Sequence, residues 1–401
     1  MTENIKDNKS ANTAVRLEGK GINIAIIVCA VIAALGIALW FVQLTQGLIV
    51  TSMRDLSSWG LYITMFMFFV GLSAGGLIIS SVPKAFGIQG FGGISKVAIW
   101  SSVCCTILAV AFVVVDLGHP LKIWELFIFS NLNSPLMWDV LVLSIYLVLS
   151  IGYLWATLRA EAGKISHKAM RIISVVSLIC AIMVHSVTAW IFGLQAGREF
   201  WHTALLAPWF VSSALVCGTA LVLIIVLALS KTNYLKVESS NIVKLTKLLG
   251  VFIVVDLYFF GCDLLTEGFP GGHGMEVVNM LTTGVLAPFF WFEIIGCAIA
   301  AVICFTDKLR TNKLIVCASI ISILGIFCKR VQLLVGGFQL PNIEQTMQLP
   351  AHSVIGWENG AALVYNQMVY WPSLLEFGIS VGVLALGGLL LLLGLKYLPL
   401  K

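Results

Sequence analysis

Residues 97–117, "VAIWSSVCCTILAVAFVVVDL", and 136–157, "LMWDVLVLSIYLVLSIGYLWAT", enclose a stretch of different character, "DLGHPLKIWELFIFSNLNSPLMWD" (116–139). The flanking runs are apolar for about 20 residues, the length of helix that spans about 30 Å of hydrocarbon. Between them sit two Asp, a His-Pro step, a Glu, a Lys and several aromatic rings. In a water-soluble protein this would be an ordinary loop. Between two membrane spans it is a polar, aromatic connection at a membrane surface, and the fold follows from reading it so.

The rest of the chain agrees. Of 401 residues, 59% are hydrophobic and 11% charged, against about 25% charged in a soluble domain. A backbone in lipid must satisfy its own hydrogen bonds, so the spans are helices. Ten are expected, over 22–42, 59–81, 97–117, 136–157, 171–192, 205–229, 246–266, 284–305, 313–335 and 372–395. The fold class is an all-α polytopic membrane protein. With the N-terminus inside, nineteen of the 24 Lys and Arg residues fall on the inner side, a strong positive-inside signal. Both termini are then cytoplasmic, in the cell membrane of a prokaryote. The polar stretch 1–21 lacks a cleavage pattern after the first span and reads as a cytoplasmic tail.

Span two contains "FFVGLSAGGLIIS" (68–80), with Gly71 and Gly75 four apart; span six contains "WFVSSALVCGTAL" (209–221), with Ala214 and Gly218 four apart. Small residues at this spacing let helices approach closely. The similar starts of the two spans suggest a duplication, with two parallel four-helix bundles. The expected organisation is 22–58 for the first span and outer loop, 59–192 and 193–335 for the two bundles, and 336–401 for an outer loop and the last span. Residues 336–371 are too long for a mere connection; they would lie on the outer surface, as a partner's dock or a self-packed cap. All ten Cys fall in spans without ferredoxin or CxxC spacing, so no iron–sulfur cluster is expected on this chain. No Lys/Arg cluster suits nucleic acid.

Ionisable residues within a membrane are costly and point to function. Asp116, His119, Asp139 and His185 gather near the outer rim of spans three to five, and Tyr146 shares a helix face with Asp139. Histidine titrates near the working pH and can hydrogen-bond a carbonyl while relaying its proton. Carboxylates beside it at an apolar edge suit quinone chemistry; a capping role for His119 and a hydrogen-bonded core role for His185 are the plainer alternatives. Only His185 lies well inside a span, so paired haem ligation is not expected, nor is any metal site. A second set runs inward along span seven: Asp256, Asp263 and Glu267, seven and eleven residues apart on one stripe. Glu293, Lys329, Arg330 and Glu376 join it from spans eight to ten. The set reads as a proton path or as charge pairing, with Lys329 or Arg330 neutralising Glu293, Asp256 or Glu376.

Four stretches resemble one family: "WGLYITMFMFFVGLSAGG" (59–76), 116–139, "REFWHTALLAPWFVSSALVCGTAL" (198–221) and "YWPSLLEFG" (370–378). They are similar to the NrfD family of polysulfide-reductase-type membrane subunits, in its ten-span branch with hydrogenase and alternative-complex-III subunits. The resemblance implies a chain without a cofactor of its own, binding a quinone (menaquinone or ubiquinone) near the outer face of the first bundle. It implies a four-cluster ferredoxin-like iron–sulfur partner and a catalytic subunit, a molybdopterin enzyme or a hydrogenase, on the outer face. By matching position, His119 and Asp139 carry over to quinone contact, with Asp116 beside them, and Asp256 and Glu293 to a proton route. Many members have Arg where this chain has His119, which gives His185 more weight.

The resulting expectation is a quinone-reactive subunit of a respiratory oxidoreductase complex. Asp116, His119, Asp139 and His185 would handle protons, and Tyr146 would contact the ring. The rivals are a secondary transporter, which parallel repeats and midplane acids would also fit, and a purely structural anchor.

Overall fold

The computed structural model describes residues 19–54, 57–87, 92–198, 200–339 and 370–400. Most of the tail expected over 1–21 and of the long segment expected over 336–371 lies outside the described residues.

Among the described residues ten helices are long and apolar enough to cross a membrane. They are α1 (Lys20–Gln46), α2 (Leu61–Phe86), α3 (Gly92–Asp116), α4 (Pro135–Glu161), α5 (His167–Gly193), α6 (Leu206–Lys231), α7 (Ser239–Gly268), α8 (Ala287–Phe305), α9 (Asn312–Gln339) and α10 (Leu374–Tyr397). The chain is a multi-pass membrane protein, with every expected span present. Several helices overrun their apolar windows, α7 by seven residues at its start. Hydropathy marks only the hydrocarbon part, and polar ends continue the helix into the interface. Local chemistry sets the ends. Pro135 opens α4 at a position where its missing N–H costs nothing. Ser166 caps α5 by accepting from the Ala169 N–H at 3.2 Å, and Gly87, at φ 73°, closes α2 in the left-handed conformation.

The packing follows from which faces are small. Helices α2 to α5 pack together, α6 to α9 pack together, and α2 lies against α6 where the two groups meet. At that crossing Gly75 faces Ala214 and Gly218 with no room for a side chain; a Cβ on Gly218 would stand 2.5 Å from Gly75 Cα. Helices α1 and α10 cross each other at Gly36 and Gly382, and α10 packs on α3. Aromatic rings tie the groups near the face that carries 116–135, called the upper face below. Trp201 meets Phe192 of α5 and Phe338 of α9 edge-on, each at 5.1 Å.

Candidate functional site

Two neighbouring residues of α9, Lys329 and Arg330, lie roughly 100° apart around the helix and face different groups of helices. Lys329 pairs with Asp256 of α7 and stands 3.2 Å from Glu293 of α8. Ser212 of α6 donates to the other oxygen of Asp256 at 2.8 Å, and Gln332 donates to Glu293 at 2.9 Å. The ammonium also sits over the rings of Trp209, at 4.6 Å, and Phe260, at 5.6 Å. All four ionisable groups are buried. A buried charge persists only when paired and hydrogen-bonded, and two carboxylates with two cations make a neutral set. Of the pairings open in the sequence, this geometry selects Lys329 with Asp256 and Glu293.

Arg330 turns the other way. Its Nη2 donates to Ser213 of α6 at 2.5 Å and to His185 of α5 at 3.2 Å, and its guanidinium lies 3.8 Å from the centre of the Phe210 ring. Arginine carries only donors, so His185 Nε2 accepts, and the imidazole is neutral with its hydrogen on Nδ1. Arg330 Nε and Nη1 and His185 Nδ1 are buried without a protein partner. Gly71 of α2 makes the space for this imidazole: a Cβ there would lie 3.3 Å from His185 Cε1. Arg330 therefore links the two helix groups.

Asp139 is buried and accepts at 2.6 Å from Thr188 of α5, which lies one turn from His185 along that helix. Tyr146 lies two turns below Asp139 on α4. Its hydroxyl meets Ser73 at 3.0 Å and Ser102 at 2.9 Å, and it is fully buried, so it belongs to a polar knot within the bundle. His119 stands apart, at the upper rim. It lines a groove of about 410 Å³ between the 116–135 connection and the start of α4, with Leu126, Phe129, Met137 and Val140 among its walls. That volume lies in the range of small-molecule sites. Asp116 ends α3 with Oδ1 buried and without a hydrogen bond.

Glu376 does not join the second-bundle acids. It begins α10, its carboxylate accepting from Ser52 N–H and Ser373 N–H, each at 2.8 Å, and from the Tyr370 hydroxyl. With Ser373 it forms a capping box, which the Ser-x-x-Glu spacing in 373–376 announces. Burial and the adjacent Glu376 push the Tyr370 phenol far above its ordinary value, so it remains a donor. Asp263 and Glu267 do share one space with Lys329 and Arg330, a cavity of about 30 Å³ among the upper parts of α6, α7 and α9. By volume it admits about two waters. Sequence reading passed over Thr188, Ser212, Ser213 and Gln332, since a hydroxyl or amide in a span looks the same whether it meets a carboxylate or lipid.

The comparisons with known proteins fit this architecture. The polysulphide reductase family, NrfD, matches residues 49–342. A protein of Halobacterium salinarum provisionally designated a dimethyl sulfoxide reductase membrane subunit is 30% identical, over 93% of this chain and 90% of its own. A selenate reductase subunit of Mesobacillus selenatarsenatis is 26% identical, over 93% of each chain. The Hdr-like menaquinol oxidoreductase integral membrane subunit of Archaeoglobus fulgidus is 26% identical, over 96% of this chain and 95% of its own. The family match spans α2 to α9, including the 116–135 connection, His185 and the Lys329–Arg330 pair, and the chain belongs to the NrfD polysulphide reductase family.

Proposed function

We infer that the chain is the membrane subunit of a respiratory oxidoreductase complex, exchanging electrons between a membrane quinone and an adjacent iron–sulfur subunit. The observation that carries this reading is the upper-rim groove, with His119 in its wall and Asp139 on the first turns of the adjoining helix. The relatives named for reductases and for a menaquinol oxidoreductase support it. A quinone ring in the groove would take a hydrogen bond from His119. Asp139, held by Thr188, and His185 would exchange its protons one helical turn deeper. The iron–sulfur subunit and a molybdopterin-type or hydrogenase-type catalytic subunit would dock on the upper face, outside the cytoplasmic membrane. Asp263, Glu267 and the Asp256–Lys329–Glu293 set would serve as a proton branch leading inward from the same face.

A transporter would use the same buried charges. Transporters commonly interrupt helices at a midplane site, whereas α7, α8 and α9 run unbroken past Asp256, Glu293 and Lys329. The test is purification of the tagged chain in mild detergent, with identification of co-purifying subunits and assay of quinone-linked electron transfer. The expected result is a co-purifying iron–sulfur protein and turnover lost in Asp139→Asn and His185→Ala, with assembly retained. A chain emerging alone, without iron or quinone-linked activity, would favour the transporter; turnover kept in both variants would leave an anchor.

A further inference from the structure

The chain contains its own control for the upper-rim groove. The upper connections that follow α3 and α7, residues 117–134 and 269–286, are equally long. Gly118-His119-Pro120 at the start of one answers to Gly268-Phe269-Pro270 in the other, and Pro135 and Trp138 answer to Pro288 and Trp291. The hydrogen bonds repeat with the residues. Trp138 Nε1 donates to the Leu132 carbonyl at 2.6 Å and Trp291 Nε1 to the Thr282 carbonyl at 2.9 Å, so each indole ties its connection to the helix that follows. The Ser134 N–H donates to the Asn131 carbonyl at 3.0 Å, and the Ala287 N–H to the Gly284 carbonyl at 3.1 Å. One backbone turn therefore leads into both α4 and α8, built on Asn131 in the first bundle and on Gly284 in the second.

What the two copies share is scaffold, and where they differ the groove appears. In the second connection a helix, His273–Thr282, turns Val277 and Leu281 into the bundle. The first connection instead leaves the groove of about 410 Å³, with Asn131 and Ser134 among its walls. At the matching positions the second copy carries Gly284 and Ala287, so the turn needs neither polar side chain. Neither Asn131 nor Gly284 has a positive φ, and the Ser134 hydroxyl does not cap α4. Asn131 Oδ1 accepts from the Asn133 N–H at 3.0 Å, a common local use of asparagine. That bond fixes which way round the amide lies: the oxygen meets the N–H, and the NH₂ points elsewhere. Among the described residues nothing accepts from Nδ2. An amide with its oxygen held and its two donor hydrogens free, in the wall of a mostly apolar groove, offers those hydrogens to whatever occupies the groove.

We propose that Asn131 is a quinone-binding residue, its amide Nδ2 donating to one carbonyl oxygen of the ring while His119 donates to the other. The inference rests on the quinone reading and adds the second donor that a ring with two carbonyls calls for. His119 enters the groove from the start of the connection and Asn131 from its end. The two donors differ in kind. An imidazole titrates near the working pH, whereas an amide keeps its hydrogens at any working pH. Asn131 therefore holds and orients the ring and takes no part in exchanging its protons. Trp138, tied to the carbonyl of Leu132 next to Asn131, keeps that wall in place.

The test is the quinone dependence of electron transfer in the whole complex, with short-chain naphthoquinones and benzoquinones, oxidised or reduced, as the varied substrate. Two variants separate the amide from the turn. Asn131→Asp keeps an oxygen for the Asn133 N–H and loses the donor. Asn131→Gly copies Gly284, keeping the backbone turn and losing the whole side chain. Both are expected to assemble and melt as the wild type does. In both, KM for the quinone is expected to rise about tenfold, the order that one lost hydrogen bond gives, with kcat changed less. A wild-type KM in both variants would overturn the proposal and leave the quinone reading intact. So would a raised KM in Asn131→Gly alone, which would show that only the turn matters, or in Asn131→Asp alone, which would show the effect of an added charge. Lowered melting in both variants would make the side chain structural and overturn it as well. A wild-type complex without quinone-linked electron transfer would overturn the quinone reading itself, and this proposal with it.

Discussion

Lys329 and Arg330 are adjacent in sequence, yet they do different work. Lys329 is the only cation within salt-bridge distance of the buried Asp256 and Glu293 among the described residues. Lys329→Met leaves two carboxylates facing each other in a low-dielectric interior, and breaking a buried pair from one side costs about 3–5 kcal/mol. Asp256→Asn leaves Lys329 with Glu293 and can still accept from Ser212. The expected order of melting temperature in detergent is wild type and Asp256→Asn close together, with Lys329→Met well below. Equal loss in the two variants would mean that Glu293 does not hold the ammonium by itself. Arg330→Lys is a different change. A lysine cannot stack on Phe210 while reaching both Ser213 and His185. It should melt near the wild type, and its signature is a lost or shifted quinone-linked activity through the disturbed His185, checked by the same electron-transfer assay.

The crossing of α2 and α6 depends on the absence of side chains. Gly218→Val would push its Cβ into Gly75, and overpacking typically costs about 1–3 kcal/mol; here it also separates the helices that hold His185 and Arg330. Gly152 of α4 is the contrast, because nothing lies within 4 Å of a Cβ built there. Gly152→Ala is expected to be neutral or to stabilise by up to about 1 kcal/mol, while Gly218→Val lowers the melting temperature and the yield of assembled complex. Comparable melting of the two variants would show that the close approach at Gly75 is not required. The small-residue spacing in 68–80 and 209–221 was legible in the sequence because sterics alone gives it meaning. The ten spans were legible because hydrocarbon thickness imposes one length. The polar knot of Ser73, Ser102 and Tyr146 was not, since these residues acquire a common meaning only once α2, α3 and α4 have a mutual register. The partner of Lys329 was likewise open among Asp256, Glu293 and Glu376, and only the packing of α9 against α6 and α8 chooses among them. His119 and Asp139, close in sequence at one rim, separate into a surface groove and a buried helix face because α4 begins between them and turns Asp139 inward.

An even number of crossings brings both ends of the described chain to one face, where Lys396 of α10 donates to Asn23 of α1 at 2.9 Å. The same face collects Lys84, Lys164, Lys168, Lys231, Lys244, Arg310 and Lys313 at helix ends and in connections, while the upper face carries few cations. Basic residues are retained on the cytoplasmic side of short connections, so the lower face is expected to be cytoplasmic and the His119 groove to open outward. Orientation also decides from which side of the membrane the groove is reached. Two exposed positions report on it, Asn133 in the upper connection and Lys164 between α4 and α5. In intact cells, Asn133→Cys is expected to react with a membrane-impermeant maleimide and Lys164→Cys to react only after the membrane is opened, each compared with the labelling of the native cysteines. Terminal fusions should agree, with a cytoplasm-dependent fluorescent reporter bright at both ends. Reaction at Lys164→Cys in intact cells, with Asn133→Cys protected, would invert the molecule. The groove would then face the cytoplasm.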